Sequence, residues 1–302
     1  MTQGLDARGL WIAIGAFVLW GVMPLYWHAL REVPSMQIVL HRIVWSALLV
    51  GAWLLVKHGR HWLRDTLRTP RAACLLAVSG VLIAINWGLY IWAVNAGHVV
   101  ESSLGYYINP LLSVALGVVV LKERMSALQW TSVALATAGV AWLTFRFGQV
   151  PWIALCLACS FAIYGLIRKV VAVDAVRGLG VEGAYLLLPG LALIVWSEAT
   201  GRGGFVSTWG VGIDAMLVLG GALTALPLIG FAYAVRRVPL SVVGLLQYIA
   251  PTLQFLIGVL VFNEPFGTDR AIGFTCIWIA LAILAVDGVM RARRTAQINA
   301  TV

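Results

Sequence analysis

Ten apolar segments of about 20 residues divide the chain, and short polar or charged connections separate them. A helix of this length crosses the roughly 30 Å hydrocarbon core of a bilayer. The segments lie at about 10–30, 36–56, 72–94, 102–121, 127–145, 150–169, 179–199, 213–235, 240–262 and 270–290. The pattern predicts an all-α polytopic membrane protein with ten transmembrane helices. Nine comparable segments follow the first, so we do not interpret it as a cleaved signal peptide.

One polar motif occurs twice in this apolar background. Residues 107–112, Tyr-Ile-Asn-Pro-Leu-Leu, recur 141 positions later as Tyr-Ile-Ala-Pro-Thr-Leu at 248–253, and the same offset pairs Glu123 with Glu264. Solenoid repeats have periods of only about 20 to 50 residues. The longer period therefore indicates two related halves of one structure.

The predicted halves are residues 1–145 and residues 146–302, and the second half ends in a short basic tail. Each half contains five predicted spans, an odd number, so the second half enters the membrane from the opposite side. This arrangement is an inverted repeat. Inverted repeats recur in secondary transporters, which hold substrate between the halves near the midplane and alternate access to the two sides.

Composition and charge agree with a membrane protein. Hydrophobic residues make up 61% of the chain and charged residues 11%, and the mean hydropathy is +0.93. Sixteen Lys and Arg residues lie in segments on the side of the N-terminus, against four on the other side. Because cytoplasmic loops retain basic residues, both termini are predicted to be cytoplasmic. The net charge of +9 is then interpreted as this bias and not as a nucleic-acid-binding surface.

The fourth and ninth spans each place small and polar residues on one helical face. These residues are Ser103, Tyr106, Tyr107, Pro110, Ser113 and Gly117 in the fourth span, and Gly244, Gln247, Tyr248, Pro251, Gln254 and Gly258 in the ninth. Such a face serves either close helix packing or a cavity, and the size of Tyr and Gln favours the cavity. Pro110 and Pro251 are predicted hinges, since proline interrupts helical hydrogen bonding.

Other polar residues within the predicted spans are candidates for the same cavity. Arg42 either extends back to the membrane interface or holds a carboxylate, with His41 as a protonatable neighbour. Asn86 and Tyr90 share a face of the third span, beside Trp87. An amide this deep in a bilayer is expected to point towards protein.

Acidic residues are few within the spans. Glu182 lies near the predicted start of the seventh span, where it either complements the helix dipole or couples transport to protons. Glu101 begins the fourth span as a gate residue or an N-terminal acid, and Glu123 is expected to serve a turn or a cap. Tyr164 and Arg168 share a face of the sixth span, and Arg168 is interpreted as an interfacial anchor.

The chain carries no enzyme signature that we recognise. No GxxxxGK, HExxH or GxSxG motif occurs. The four cysteines lie inside predicted spans, so we expect neither disulfides nor a metal site, and no cofactor. Tryptophans near span ends, including Trp27, are interpreted as interfacial anchors.

Several of these motifs together resemble one known family. Residues 101–110, the Asn86-Trp87 pair, His41-Arg42 and residues 247–252 are similar to the RarD branch of the EamA-type drug/metabolite transporter superfamily. The resemblance covers nearly the whole chain. It implies a bacterial inner-membrane permease with a central cavity between its halves, usually an exporter of small metabolites or drug-like molecules.

The resulting hypothesis is a monomeric secondary transporter that exports a small amphipathic or aromatic solute by alternating access. Proton coupling would act through His41, Glu101 or Glu182, unless the solute's own gradient suffices. A channel or a non-transporting scaffold remains the alternative, and an intramembrane enzyme is the least favoured class. The candidate cavity residues are His41, Arg42, Asn86, Trp87, Tyr90, Tyr107, Asn109, Tyr164, Gln247 and Tyr248.

Overall fold

The structure is a computed structural model that describes residues 6–95, 99–148, 150–261 and 268–300. Within these ranges it leaves out the side chains of 91, 94, 95, 99–103, 147, 269, 270, 288, 289 and 291–300. The described residues form twelve helices and no strand. The helices are α1 (Ala7–Ala29), α2 (Ser35–His58), α3 (Trp62–Leu67), α4 (Pro70–Asn95), α5 (Val99–Val119), α6 (Ala127–Phe147), α7 (Trp152–Val170), α8 (Ala175–Ala199), α9 (Val211–Val235), α10 (Leu240–Leu246), α11 (Ile249–Leu260) and α12 (Thr268–Ala300).

Local capping explains several helix ends. Asp6 accepts a hydrogen bond from the Arg8 amide at the start of α1, and Asp174 accepts from two amides at the start of α8. Ser126 and Gln129 form a reciprocal capping box at the start of α6. Gly148, at φ 79°, ends α6 in the left-handed conformation that glycine adopts without strain.

Seven described segments are long and apolar enough to cross a membrane. They are Ala7–Ala29, Ser35–His58, Pro70–Tyr90, Trp152–Val170, Ala175–Ala199, Val211–Val235 and Leu240–Leu260. Two shorter apolar segments, Leu104–Val119 and Ala271–Asp287, adjoin residues whose side chains the structure does not describe. The chain is therefore an all-helical polytopic membrane protein, as its hydropathy pattern predicts.

Helix α6 is less apolar because it carries several Ser and Thr residues. Their hydroxyls bond to backbone carbonyls four residues earlier: Thr131 to Ala127, Ser132 to Leu128, Thr137 to Val133 and Thr144 to Val140. A hydroxyl that bonds its own helix does not need water. The helix can therefore lie in an apolar environment, and it packs against α12.

Most of the close helix pairs join residues 1–145 to the remainder of the chain. Helix α5 packs on α7 and α10, α2 packs on α8 and α9, and α1 packs on α9 and α11. The buried core crosses the same boundary, since it includes Phe17 of α1, Leu76 of α4 and Phe231 of α9. The two predicted halves are therefore interlocked and share one core.

The two repeated segments contact each other directly. A Cβ at Gly244 of α10 would lie 2.8 Å from the backbone oxygen of Pro110 in α5, so only glycine permits this approach. Helix α5 continues through Pro110, whereas α10 and α11 are separated at Gln247 and Tyr248. At the break, Pro251 has no N–H for the Gln247 carbonyl, which accepts instead from the Ala250 amide at 3.2 Å.

Two helical features differ from the sequence-based expectation. Helix α3 lies in the basic connection after α2, where no helix is predicted. Helix α8 begins at Ala175, four residues before the predicted span. Glu182 consequently lies beyond the first turn, and the dipole-complementing role considered for it is wrong.

Candidate functional site

A cavity of about 250 Å³ lies between the two halves of the chain. Helices α1, α2, α4 and α5 form one wall, and α7, α9 and the α10–α11 junction form the other. The polar residues of its lining are Arg42, Asn86, Tyr90, Tyr106, Asn109, Thr224, Gln247 and Gln254. Aromatic and apolar contributors include Phe17, Trp20, Trp27, Trp87, Phe161 and Leu228. The cavity therefore combines an aromatic surface with a limited set of hydrogen-bonding groups, as ligand sites generally do.

Arg42 supplies the positive charge of this cavity. Its guanidinium carbon lies 4.8 Å from the ring centre of Trp27 and 5.1 Å from that of Trp87. Its Nε donates to the Thr224 hydroxyl at 3.0 Å, and that hydroxyl donates to the carbonyl of Gly220. Two indole rings and one hydroxyl thus hold the guanidinium at the cavity.

A chain of amide hydrogen bonds joins the halves at the other polar wall. The Asn109 Nδ2 donates to Gln247 Oε1 at 2.6 Å, and the Gln247 Nε2 donates to the Ser113 hydroxyl at 3.0 Å. The Asn109 Oδ1 is buried and has no hydrogen-bond partner. Because this oxygen has essentially no accessible surface, it is an unsatisfied polar atom within the packing between the halves.

Asn86 and two tyrosines complete the polar lining. The Asn86 Nδ2 donates to the Leu157 carbonyl at 2.8 Å and to the Ser160 hydroxyl at 2.9 Å, which ties α4 to α7. Tyr90 and Tyr106 meet edge to face, with ring centres 5.9 Å apart, and their side chains are partly exposed.

Five aromatic residues close the cavity on the side towards the N-terminus of α1, and we call them the aromatic floor: Phe17, Trp20, Phe161, Tyr164 and Phe231. Ring centres within the floor lie 5.3 to 6.2 Å apart. Tyr164 and Phe231 are fully buried below the cavity. These described side chains therefore form a packed aromatic layer on this side of the cavity.

A polar cluster beyond the floor, which we call the latch, consists of Glu123, Lys169, Leu240 and Ser241. The Glu123 carboxylate accepts from the backbone amides of Leu240 at 2.7 Å and Ser241 at 2.9 Å. Lys169 lies 3.4 Å from the carboxylate and donates to two carbonyls between α9 and α10. Glu123 therefore caps α10, a helix of the other half, whereas the sequence predicted only a local turn or cap. Its repeat equivalent, Glu264, lies outside the described residues.

Six of the ten predicted substrate-binding residues line the cavity: Arg42, Asn86, Trp87, Tyr90, Asn109 and Gln247. Four do not. His41 is buried against Phe205, with ring centres 4.6 Å apart, and its Nδ1 accepts from the Trp45 indole. The Tyr248 hydroxyl donates to the backbone oxygen of Tyr107 at 3.0 Å, so these residues join α5 to the α10–α11 junction.

Tyr164 forms part of the floor and also faces a buried ion pair. Arg168 Nη1 lies 3.5 Å from Glu182 Oε1, and both side chains are almost completely buried. The Ser79 hydroxyl donates to the same carboxylate, and the Tyr164 hydroxyl lies 3.5 Å from its other oxygen. A side chain on Gly178 would overlap the Arg168 guanidinium. Arg168 is therefore a buried partner of Glu182, and its interpretation as an interfacial anchor is wrong.

A second void of about 20 Å³ lies between Glu182 and the cavity. Trp87 and Leu228 line both spaces. A void of this size accommodates roughly one water molecule. Glu182 is thus about one layer of side chains away from the cavity, whereas the side chain of Glu101 lies outside the described residues.

Some lining residues were not predicted as site residues. Trp27 has a sequence position typical of an interfacial anchor, and nothing local distinguishes it. Thr224 is a single hydroxyl in a long apolar run, which is a weak signal. Tyr106 and Gln254 lie on the polar faces predicted for spans four and nine, so the helical period did indicate them.

Comparisons with known proteins agree with this architecture. The sequence profile of the EamA-like transporter family matches residues 7–145. A solved crystal structure of a protein with 21% sequence identity superposes with a TM-score of 0.71 over 93% of this chain and 98% of that chain, which supports the fold.

Relatives that match nearly the whole length of this chain identify its family more specifically. Protein RarD of Streptomyces exfoliatus is 46% identical over 97% of this chain and 93% of its own. Protein RarD of Escherichia coli strain K12 is 39% identical over 96% and 98%, respectively. Chloramphenicol-sensitive protein RarD of Pseudomonas aeruginosa is 32% identical over 97% and 98%. The chain therefore belongs to the RarD branch of the EamA-type drug/metabolite transporter superfamily, a family of multi-pass bacterial membrane transporters.

Proposed function

We propose that this protein is a secondary transporter that exports small amphipathic or aromatic organic solutes across the bacterial inner membrane by alternating access. The observation that carries the proposal is the cavity itself, whose walls come from both halves of the chain. A site between two halves can face either side of a membrane when the halves rock about it. Because one chain supplies both walls, a monomer suffices.

We propose ten spans in an inverted repeat, with both termini in the cytoplasm. Helices α5, α6 and α12 join the seven long apolar segments, and α10 with α11 counts as one span. The packing supports the repeat. In the proposed repeat, the first-half helices correspond in order to those of the second half: α1, α2, α4, α5 and α6 to α7, α8, α9, α10–α11 and α12. The close pair α1–α11 then corresponds to α5–α7, and the pair α2–α9 corresponds to α4–α8. Both of these corresponding pairs also pack together.

The proposed orientation assigns the latch and the aromatic floor to the cytoplasmic side. Between Phe161 at the cavity and Lys169 at the latch lie two turns of α7, about 12 Å of helix. Access from the cytoplasm would require Glu123 to release the amides of Leu240 and Ser241. This conformation would therefore represent a state closed to the cytoplasm.

Two driving forces are compatible with the site. Proton exchange would use Glu182, because a single water in the small void would connect it to the cavity and protonation would weaken its bond to Arg168. His41 is separated from the lining, and facilitated movement down the solute gradient is the second option. An imposed pH gradient distinguishes them: accumulation that responds to the gradient in wild type but not in Glu182→Gln supports coupling through Glu182.

The transport proposal is tested with purified protein in proteoliposomes. A thermal-shift screen of metabolites and antibiotics, including chloramphenicol because one relative is named for sensitivity to it, would identify probes. We expect saturable counterflow of a probe that raises the melting temperature. Unsaturable flux would indicate a channel, and binding without flux would indicate a scaffold; either result contradicts the proposal.

A matched pair of tryptophan variants links flux to the cavity. Trp87 lines the cavity, whereas Trp130 lies on α6 with 52% of its surface exposed. We expect Trp87→Leu to reduce counterflow about tenfold or more while Trp130→Leu leaves it near wild type, because only Trp87 contributes to the solute surface. Equal effects of both variants would contradict a role for the cavity.

A further inference from the structure

We propose that the solute of this cavity is an organic monoanion, a carboxylate attached to a planar aromatic group, and that Arg42 binds the carboxylate. This inference rests on the proposed transport function and specifies its substrate class. It depends on the charge balance of the lining and on the surroundings of Arg42.

The charge balance is the first argument. Arg42 is the only Lys or Arg in the described lining, which contains no Asp or Glu. The ion pairs seen among the described residues do not involve Arg42, and its one hydrogen bond to a side chain uses Nε. A charge inside a bilayer is costly and is usually paired. No described residue supplies the counter-charge of Arg42, and a bound anionic solute would supply it.

The orientation of the guanidinium is the second argument. Trp27 and Trp87 flank it, and Thr224 accepts from Nε, so the two terminal nitrogens are left for a ligand. Two parallel N–H groups match the two oxygens of a carboxylate in the bidentate pairing that arginine prefers. One guanidinium balances one negative charge, which favours a monoanion over a dianion.

The remainder of the lining specifies the other end of the solute. Phe17, Trp20 and Phe161 present aromatic surface at the floor. Flat rings gain contact area and favourable ring geometry against such a surface.

The test uses three probes that share one ring system and differ in charge. These are indole-3-acetate, which is anionic at neutral pH, indole-3-acetamide, which is neutral, and tryptamine, which is cationic. We expect the acetate to raise the melting temperature of the purified protein more than the amide, and tryptamine to have the smallest effect. Equal shifts for acetate and amide, or no shift with the acetate, would overturn the proposal.

Arg42 variants test the residue assignment. We expect Arg42→Gln to weaken acetate binding about tenfold or more and to leave amide binding within about twofold, since only the acetate uses the charge. Arg42→Lys retains the charge but cannot form the bidentate pair, so it should weaken acetate binding by an intermediate amount. An acetate preference that survives in Arg42→Gln would overturn the assignment.

Two further readouts separate this proposal from others. The unliganded Arg42→Gln variant should melt no lower than wild type, because removal of an unpaired cation relieves a desolvation cost; a lower melting temperature would indicate a structural role and contradict the assignment. Selective acetate binding without counterflow supports the anion site but refutes transport. Saturable counterflow without anion selectivity refutes the substrate class alone.

Discussion

At the residue scale, Arg42 at the cavity and the buried Arg168 have opposite surroundings although both lie in apolar helices. Arg168 is neutralised by Glu182 and donates from its Nη2 to the Ala175 carbonyl at 2.9 Å. Among the described residues, Arg42 contacts aromatic faces and a hydroxyl but no acid. A paired charge stabilises an arrangement of helices, whereas an unpaired charge at a cavity is available to a ligand.

Removal of one partner from the buried Arg168–Glu182 pair should therefore destabilise the protein more than removal of both partners. We expect Arg168→Met to lower the free energy of unfolding by about 3 to 5 kcal/mol, because Glu182 would remain buried without compensation. The double variant with Glu182→Met should recover much of this loss. Thermal and denaturant unfolding in detergent would measure both effects.

The matched control is Arg177→Met. Arg177 pairs with Asp174 at 3.4 Å near the surface, where both side chains are substantially exposed. Exposed pairs contribute about 0 to 1 kcal/mol, so this variant should unfold close to wild type. A double variant as unstable as Arg168→Met alone would mean that the charge pair is not the source of stability.

The sequence predicted site residues well where a helical face carried a repeated polar pattern, and poorly where a partner came from a distant helix. Gln247 lies on the polar face predicted for the ninth span, and it bonds to Asn109, which the family resemblance indicated. The burial of Arg168 depends on Glu182 from α8 and on the space left by Gly178, and no local pattern encodes either contact. Trp27 is recruited to the cavity by Arg42 in the same way.

At the element scale, prolines loosen the helices that line the cavity, and side chains of the other half satisfy carbonyls nearby. Pro24 in α1 leaves the Trp20 carbonyl without its usual donor, and the Gln254 side-chain amide donates to it at 3.2 Å. Pro110 frees the Tyr106 carbonyl, and Tyr248 donates to the next carbonyl, that of Tyr107. Side-chain bonds to helix carbonyls make proline tolerable in helices inside a membrane, and their loss and reformation would accompany movement of the halves.

The interruption between α10 and α11 should be needed for the rate of transport rather than for folding. Pro251→Ala restores an amide that can bond the Gln247 carbonyl, so we expect an equal or higher melting temperature and slower counterflow. Pro189→Ala is the control, because Pro189 also lies inside a helix but on an exposed face of α8. Unchanged counterflow in Pro251→Ala would rule out the junction as a hinge.

The latch should control access from the cytoplasm. Glu123→Ala leaves the amides of Leu240 and Ser241 without their acceptor, and we expect faster thiol labelling of a Ser113→Cys reporter in inside-out vesicles. Ser113 is buried on α5 between the cavity and the latch. Asp65→Ala, which removes an exposed pair with Arg68, serves as the control. If both variants label at the wild-type rate, Glu123 does not hold the cytoplasmic side closed.

At the scale of the whole molecule, the hydropathy pattern determines most of the helical architecture before any contact is known. Predicted spans and observed helices coincide within a few residues for most of the chain, because burial in lipid imposes length and apolarity on each helix. The interlocking of the halves does not follow from that pattern. It depends on cross-half pairs such as α5 with α7 and α6 with α12.

The proposed inverted repeat makes a prediction about equivalent positions in the two halves. Arg60 follows α2, and Arg202 follows α8, which is the repeat equivalent of α2; both side chains are exposed. In a background without native cysteines, we expect Arg60→Cys to be protected from a membrane-impermeant thiol reagent in intact cells and Arg202→Cys to be labelled. Disruption of the cells should expose Arg60→Cys equally, which controls for its reactivity. Because an odd number of spans separates the copies, labelling of both positions from the same side would exclude opposite insertion and, with it, alternating access between inverted halves.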